Sequence, residues 1–179
     1  SRMPYKEALR AGAEIWMSLR DELIHRNAIH SVGDEGGFAP DLFTNADALE
    51  LMSVVIKNSP YRLGLDVFLG LDVAANGFHK SGVYHIKDSP KPLDRDGMTQ
   101  LYLSLVKDYG LLSLEDPLDH DDWKGWTELT RVIPESTMVI GDDLITTNAA
   151  RLKQAIEQKA CSAVIVKPNQ IGTITETIA

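Results

Sequence analysis

Residues 111–167 read LLSLEDPLDHDDWKGWTELTRVIPESTMVIGDDLITTNAARLKQAIEQKACSAVIVK. Three short apolar runs, Leu111–Leu114, Met138–Ile140 and Ala163–Val166, alternate with two amphipathic stretches, Trp123–Val132 and Ala149–Lys159. Runs this short and rich in Val, Ile and Leu predict strands, and the longer periodic stretches predict helices. Strands are expected over 111–115, 138–141 and 163–167. Successive strands separated by helices must run parallel, because each helix carries the chain back to the starting edge. The fold class is therefore α/β. The runs at 111–114 and 163–166 lack polar alternation, as strands covered on both faces do.

The same alternation extends outward. Upstream, Gly64–Ala75 reads as a doubly buried strand and Asp96–Tyr109 as a helix. Between them, residues 76–95 are rich in Gly, Ser, Pro and Asp, with Val83–Ile86 as a short strand. Asn45 is placed to cap a helix running to Lys57. Val32–Pro40 is a glycine-rich loop. From Pro4 to Arg26, Ala8, Ile15, Leu19 and Leu23 recur at helical spacing, with Pro4 suited to a first turn. A last helix is expected from about Thr173.

Composition narrows the function classes. The chain has 179 residues, and 18 basic against 26 acidic side chains give a net charge of −8. Such a balance disfavours a general nucleic-acid binder, which needs a basic face for the phosphates. Charged residues at 25% and apolar residues at 44% describe an ordinary globular chain of single-domain length rather than a disordered one. One cysteine, Cys161, forbids an internal disulfide and suits a reducing compartment such as the cytoplasm. It reads as a small buried hydrophobe. No segment approaches the ~20 apolar residues of a membrane span; the most apolar stretch, Leu63–Ala75, is broken by Asp66 and Asp72.

Each apolar strand stops at a charged residue: Asp72, Glu115, Asp142 and Lys167. In a (β/α) barrel the C-terminal strand ends converge on one face, where active sites sit. Three carboxylates and one ammonium are thus expected in one cup. Two carboxylates ~4 Å apart repel by about 4 kcal/mol at an effective dielectric near 20. Three such pairs reach on the order of 12 kcal/mol, comparable with the stability of a whole domain. Lys167 brings a single opposing charge. A divalent ion balances the cup, and all-oxygen donors suit a hard cation such as Mg²⁺. The histidines at 25, 30, 79, 85 and 120 show no zinc-like spacing and read as surface or local hydrogen-bonding groups. A neighbouring Mg²⁺ and partial burial would both lower the Lys167 pKa, making it a general base at neutral pH.

The segments Val32–Pro40 (VGDEGGFAP), Gly70–Ala75 (GLDVAA), Leu114–Pro117 (LEDP), Asp121–Trp123 (DDW), Gly141–Leu144 (GDDL), Thr147–Asn148 and Val166–Thr173 (VKPNQIGT) together resemble the enolase family, in family order and at near-family spacing. The resemblance covers residues 32–173. It implies an incomplete (β/α) barrel of the enolase type, with residues 1–179 as the central part of the C-terminal barrel domain. The implied reaction is the reversible, Mg²⁺-dependent dehydration of 2-phosphoglycerate to phosphoenolpyruvate, a carbon–oxygen lyase step of glycolysis and gluconeogenesis.

By motif match, Asp72, Glu115 and Asp142 would hold the Mg²⁺ that binds the substrate carboxylate. Lys167 would remove the adjacent proton, and Glu35 would lie opposite and help protonate the departing hydroxyl. Glu35, Glu115, Asp142 and Lys167 would all face substrate. Asp116 and Asp143, each following a matched ligand, are expected in loop or supporting roles. Asp119, Asp121 and Asp122 are expected to cap the helix that opens at Trp123, and Trp123 and Trp126 to share its buried face.

Ala74–His79 (AANGFH) departs from the family pattern, which carries a Ser/Glu-containing stretch there. The family's capping domain, its Ser-His-Arg-Ser segment and its second active-site lysine have no counterpart in these residues. The isolated segment is therefore expected to be inactive, and its open sheet edges to make it unstable or prone to association. As an intact protein, a homo-oligomer is expected by analogy. Two other readings share parts of this pattern: another lyase or racemase of the enolase superfamily, and a non-catalytic truncated paralogue acting through binding.

Overall fold

The first helix, α1 (Tyr5–His25), begins directly after Pro4, whose φ of −57° is already helical and whose carbonyl accepts from the amides of Glu7 (2.9 Å) and Ala8 (3.0 Å). Ala11, Ile15 and Leu23 form its buried stripe. It packs against α2 (Asn45–Lys57), which buries Leu49, Leu51, Val55 and Ile56. The cap of α2 is Thr44 rather than Asn45. Thr44 Oγ1 accepts from the Asp47 amide (3.1 Å), and Asp47 Oδ2 accepts from the Thr44 amide (2.9 Å), a reciprocal capping box. The computed structural model describes residues 3–178. Its chain divides into two units, the first ending at Leu69 and the second opening at Gly70. Both helices belong to the first.

The second unit is built on a four-stranded parallel sheet in the order β1–β4–β5–β6. The strands are β1 (Gly70–Asp72), β4 (Ser113–Glu115), β5 (Met138–Gly141) and β6 (Ala163–Val164). A short 3₁₀ turn (Ala75–Phe78) and an antiparallel pair, β2 (His79–Lys80) with β3 (Val83–Tyr84), follow β1. The crossovers are α3 (Arg95–Tyr109), α4 (Trp123–Val132) and α5 (Ala149–Gln158). Each starts on a side-chain cap: Asp94 accepts from the Gly97 amide, Asp122 from Gly125, and Asn148 from Ala150 and Arg151. Two short helices, α6 (Pro168–Ile171) and α7 (Ile174–Ile178), close the described chain.

Leu114 and Val139 of the central strands are buried, as are Trp126 and Leu129 of α4 and Met98 and Tyr102 of α3. The buried polar tips are satisfied: Trp126 Nε1 donates to the Asp119 carbonyl (3.0 Å) and the Tyr102 hydroxyl to that of Pro117 (2.6 Å). Gly70 lets β1 approach β4 closely, since a Cβ there would run into Ser113 Oγ.

The α/β fold with parallel strands and alternating helices is as expected, and among the described residues the sheet is open rather than a closed barrel. The doubly covered strands are only half realised. β1 holds three residues with both ends exposed, and Val166, expected inside a strand, is 60% exposed. Among the described residues β1 is an edge strand of the sheet, and Val166 follows the other edge strand, β6. Trp126 is fully buried, but Trp123 is only half-buried, its ring lying 5.0 Å beneath the Arg151 guanidinium. Cys161 is half-buried, and burial pushes its thiol up. No described helix is long and apolar enough to cross a membrane.

Candidate metal and active site

The strand register assembles the acidic cup. Asp72 and Glu115 are direct partners at the ends of β1 and β4, and Glu115 pairs with Ile140, two residues before Asp142. Backbone bonds continue past the strands: the Val73 amide donates to Glu115 O (2.9 Å), Ala75 to Asp116 O (3.1 Å) and Asp116 to Ile140 O (3.0 Å). The loops that carry the acids are therefore extensions of the sheet. Glu115, Asp116 and Asp142 each offer an oxygen, all within 4.8 Å of one another.

Asp116 is 4% exposed and adopts φ 42°, a left-handed backbone that aspartate tolerates better than most residues. Its two oxygens accept from the amides of Asp142 (3.0 Å) and Asp143 (2.9 Å). Asp142, 5% exposed, forms an ion pair through Oδ2 with Lys167 Nζ and accepts through Oδ1 from Gln170 Nε2 (2.6 Å). Thr147 Oγ1 accepts from the Lys167 amide (2.8 Å) and donates to Gln170 Oε1 (2.8 Å). Thr146 and Thr147 both have positive φ, 49° and 54°. That conformation is costly for β-branched residues, and strain of this kind collects at functional sites. Asn76, after β1, donates to Asp143 Oδ2 (3.1 Å) and accepts from the His120 amide (2.9 Å).

Burial, and next its own neighbours' charge, raise the carboxyls: Glu115 is pushed up by burial and then by Asp72 and Asp142. Asp72 is pushed up chiefly by burial, with Asp142 adding to it against the pull of the Ala74 amide and Lys167. Burial raises Asp116 despite its two amide donors. Lys167 is shifted opposite to the sequence expectation. Its hydrogen bond to Asp142 raises its pKa and holds it as an ammonium. The expectation of a lowered value presupposed a bound cation; without one, Lys167 is itself the counter-charge of the cup.

Asp72, Glu115, Asp142 and Lys167 are thus brought to one end of one sheet. The tightest trio of oxygens includes Asp116, with Asp72 one strand over. Gln170 and Thr147 lay inside recognised motifs, but nothing in their spacing assigned them to Asp142 and Lys167. Glu35 sits in the first unit, in a loop closed by the bonds Gly33 N to Gly37 O (3.0 Å) and Gly36 N to Gly33 O (2.9 Å). Gly36 takes φ 83°, which needs glycine. Trp16 of α1 donates Nε1 to Gly36 O (2.8 Å) and stacks on Phe38 at 4.8 Å. That anchor has no sequence signal, because the partners are separated by twenty residues across a helix end.

A parallel α/β sheet whose strand ends gather carboxylates and a lysine has the arrangement of α/β folds that carry their sites at the C-terminal strand ends, here with carboxylate oxygens close enough together to hold a metal ion. The family profile described as "Enolase, C-terminal TIM barrel domain" matches residues 2–179. The enolase of Helicobacter pylori (strain ATCC 700392 / 26695) is 43% identical over 175 residues, which cover 97% of this chain and 41% of that relative. The chain belongs to the enolase family. It spans 41% of the length of the curated relative.

Proposed function

We propose that this chain supplies the cation-binding and proton-abstracting side of an enolase active site, converting 2-phosphoglycerate reversibly to phosphoenolpyruvate and water. The observation that carries the reading is the shared cup: Lys167 Nζ lies on the carboxylate of Asp142, which is itself grouped with Glu115. The reading extends to a homo-oligomeric, cytoplasmic protein in which catalysis requires more of the enzyme than these residues.

The donor set fits Mg²⁺. It consists of carboxylate oxygens only, and Glu115 and Asp72 are raised chiefly by burial, with the charge of Asp142 adding to it, so a cation among them would favour their ionised forms. Asp72, Glu115 and Asp142 are assigned as ligands. Asp116 is set aside because both of its oxygens are committed to backbone amides of the 142–143 turn, whereas the partners of Asp142 are the movable side chains of Lys167 and Gln170 and, among the described residues, Asp72 accepts from the Ala74 amide alone (3.2 Å). A bound Mg²⁺ supplies positive charge against the negative charge that develops on the substrate carboxylate as the neighbouring proton leaves.

The remaining steps belong to side chains. Lys167 would accept that proton at Nζ, for which it must be neutral rather than the ammonium partner of Asp142. Gln170 keeps Oδ1 of Asp142 fixed, and Thr147 fixes both Gln170 and the Lys167 backbone. Glu35 is assigned to protonating the hydroxyl as it departs.

The test is Lys167→Ala in the intact protein. Exchange of the substrate's α-proton with solvent should fall by about 10²- to 10⁴-fold or more, with Mg²⁺ binding largely retained. Exchange at the wild-type rate would remove Lys167 as the base.

A further inference from the structure

We propose that Asp116 is the positioning residue of the metal site: a buried carboxylate that grips the backbone of the 142–143 turn and thereby aims Asp142, without itself binding the cation. The inference rests on the cation site proposed above.

Three observations carry it. Asp116 directly follows Glu115 at the end of β4, so its place is tied to the strand through its own amide on Ile140 O. Its left-handed backbone at φ 42° turns the side chain across the sheet to the next strand end. There, one oxygen takes each of two consecutive amides, Asp142 at 3.0 Å and Asp143 at 2.9 Å. Two amides held by one rigid carboxylate leave the Asp142 backbone little rotational freedom. Its carboxylate is then set by that backbone together with Gln170 and Lys167. A third loop joins in: Asn76 binds Asp143 Oδ2 and the His120 amide, tying the turn to the segments after β1 and β4.

Positioning has a signature that direct ligation lacks. Mg²⁺ demands near-ideal octahedral geometry, whereas Ca²⁺ accepts irregular sites. Loosening Asp142 without removing a ligand should therefore cost Mg²⁺ far more than Ca²⁺.

The experiment uses the intact protein and Asp116→Asn, which keeps the size and the tolerance of positive φ but can accept only one of the two amides. In the ion-free protein, amide hydrogen exchange at Asp142 and Asp143 should speed up by about tenfold or more. The Mg²⁺ dissociation constant should weaken by about 10- to 100-fold, as for other supporting residues of metal sites, with that for Ca²⁺ changing by less than about threefold. Asn76→Ala should move the same quantities in the same direction by less, and serves if Asp116→Asn does not fold. Unchanged amide exchange would overturn the proposal. Equal losses for Mg²⁺ and Ca²⁺ would overturn it too and make Asp116 a ligand. Failure of the wild-type protein to bind either ion would instead sink the proposed cation site, and the exchange measurement would still decide whether the clamp exists.

Discussion

Glu115 and Asp72 hold their protons more tightly in the fold than an ordinary carboxyl does, because burial disfavours the ionised form, with Asp72 and Asp142 adding to it at Glu115 and Asp142 adding to it at Asp72. Between the unfolded and folded pKa values the folded chain binds more protons, so ion-free stability falls as pH rises through that interval. A cation reverses the trend. Thermal unfolding against pH should therefore show a gain from Mg²⁺ that is large at neutral pH and fades on acidification, beginning above the ordinary carboxylate range. Glu115→Gln should raise the ion-free midpoint at pH 7 and abolish most of the Mg²⁺ gain; an unchanged ion-free midpoint would contradict this. Lys167, held protonated by Asp142, should react slowly with an acylating reagent in the ion-free protein and faster once Mg²⁺ is added. Equal rates would mean that cation and lysine do not share Asp142. Much of this was legible from sequence. Asp72, Glu115, Asp142 and Lys167 stand out because each ends an apolar run. The direction of the Lys167 shift was not legible, since it depends on which charge fills the cup. Nor was the hold of Asp116 on two amides, which requires knowing that strands distant in sequence lie side by side.

At the scale of elements, helix boundaries followed from local chemistry. Asp122 and Asn148 cap α4 and α5, and those two helices begin where the sequence places them. The cap of α2 falls one residue earlier, on Thr44, because Asp47 completes a capping box only from there. Strand lengths were less legible, for the run at 163–166 is apolar throughout yet the strand holds only Ala163–Val164, with the Ile165 amide adding one bond to Gly141 O (3.1 Å). Trp126, buried and bonded to Asp119 O, anchors α4, and Trp126→Ala should cost about 3–5 kcal/mol by denaturant unfolding. A loss below about 1 kcal/mol would show that α4 does not depend on it. In the first unit, Trp16 holds the loop that carries Glu35 through Gly36 O and Phe38. Trp16→Leu should make residues 33–37 markedly more susceptible to limited proteolysis, with far-UV circular dichroism unchanged; an unaltered cleavage rate would remove the anchor.

For the molecule as a whole, the four-stranded sheet leaves β1 and β6 as edges among the described residues. Unpaired edges of a parallel sheet invite association. The 179-residue chain on its own should therefore unfold with a concentration-dependent midpoint or self-associate in sedimentation. A sharp, reversible, concentration-independent transition would contradict this. The α/β class was legible because alternation of strands and helices is a long-range pattern written in local periodicity. The division at Leu69 was not, because no linker-like composition marks it. Calorimetric titration of Mg²⁺ into the intact wild-type protein and into Asp142→Asn at pH 7, in buffers of differing ionisation heat, bears most directly on whether these strand ends form one cation site. The expected result is wild-type binding accompanied by proton release and lost in the variant. Binding that is absent in the wild type, or equally strong in Asp142→Asn, would contradict it.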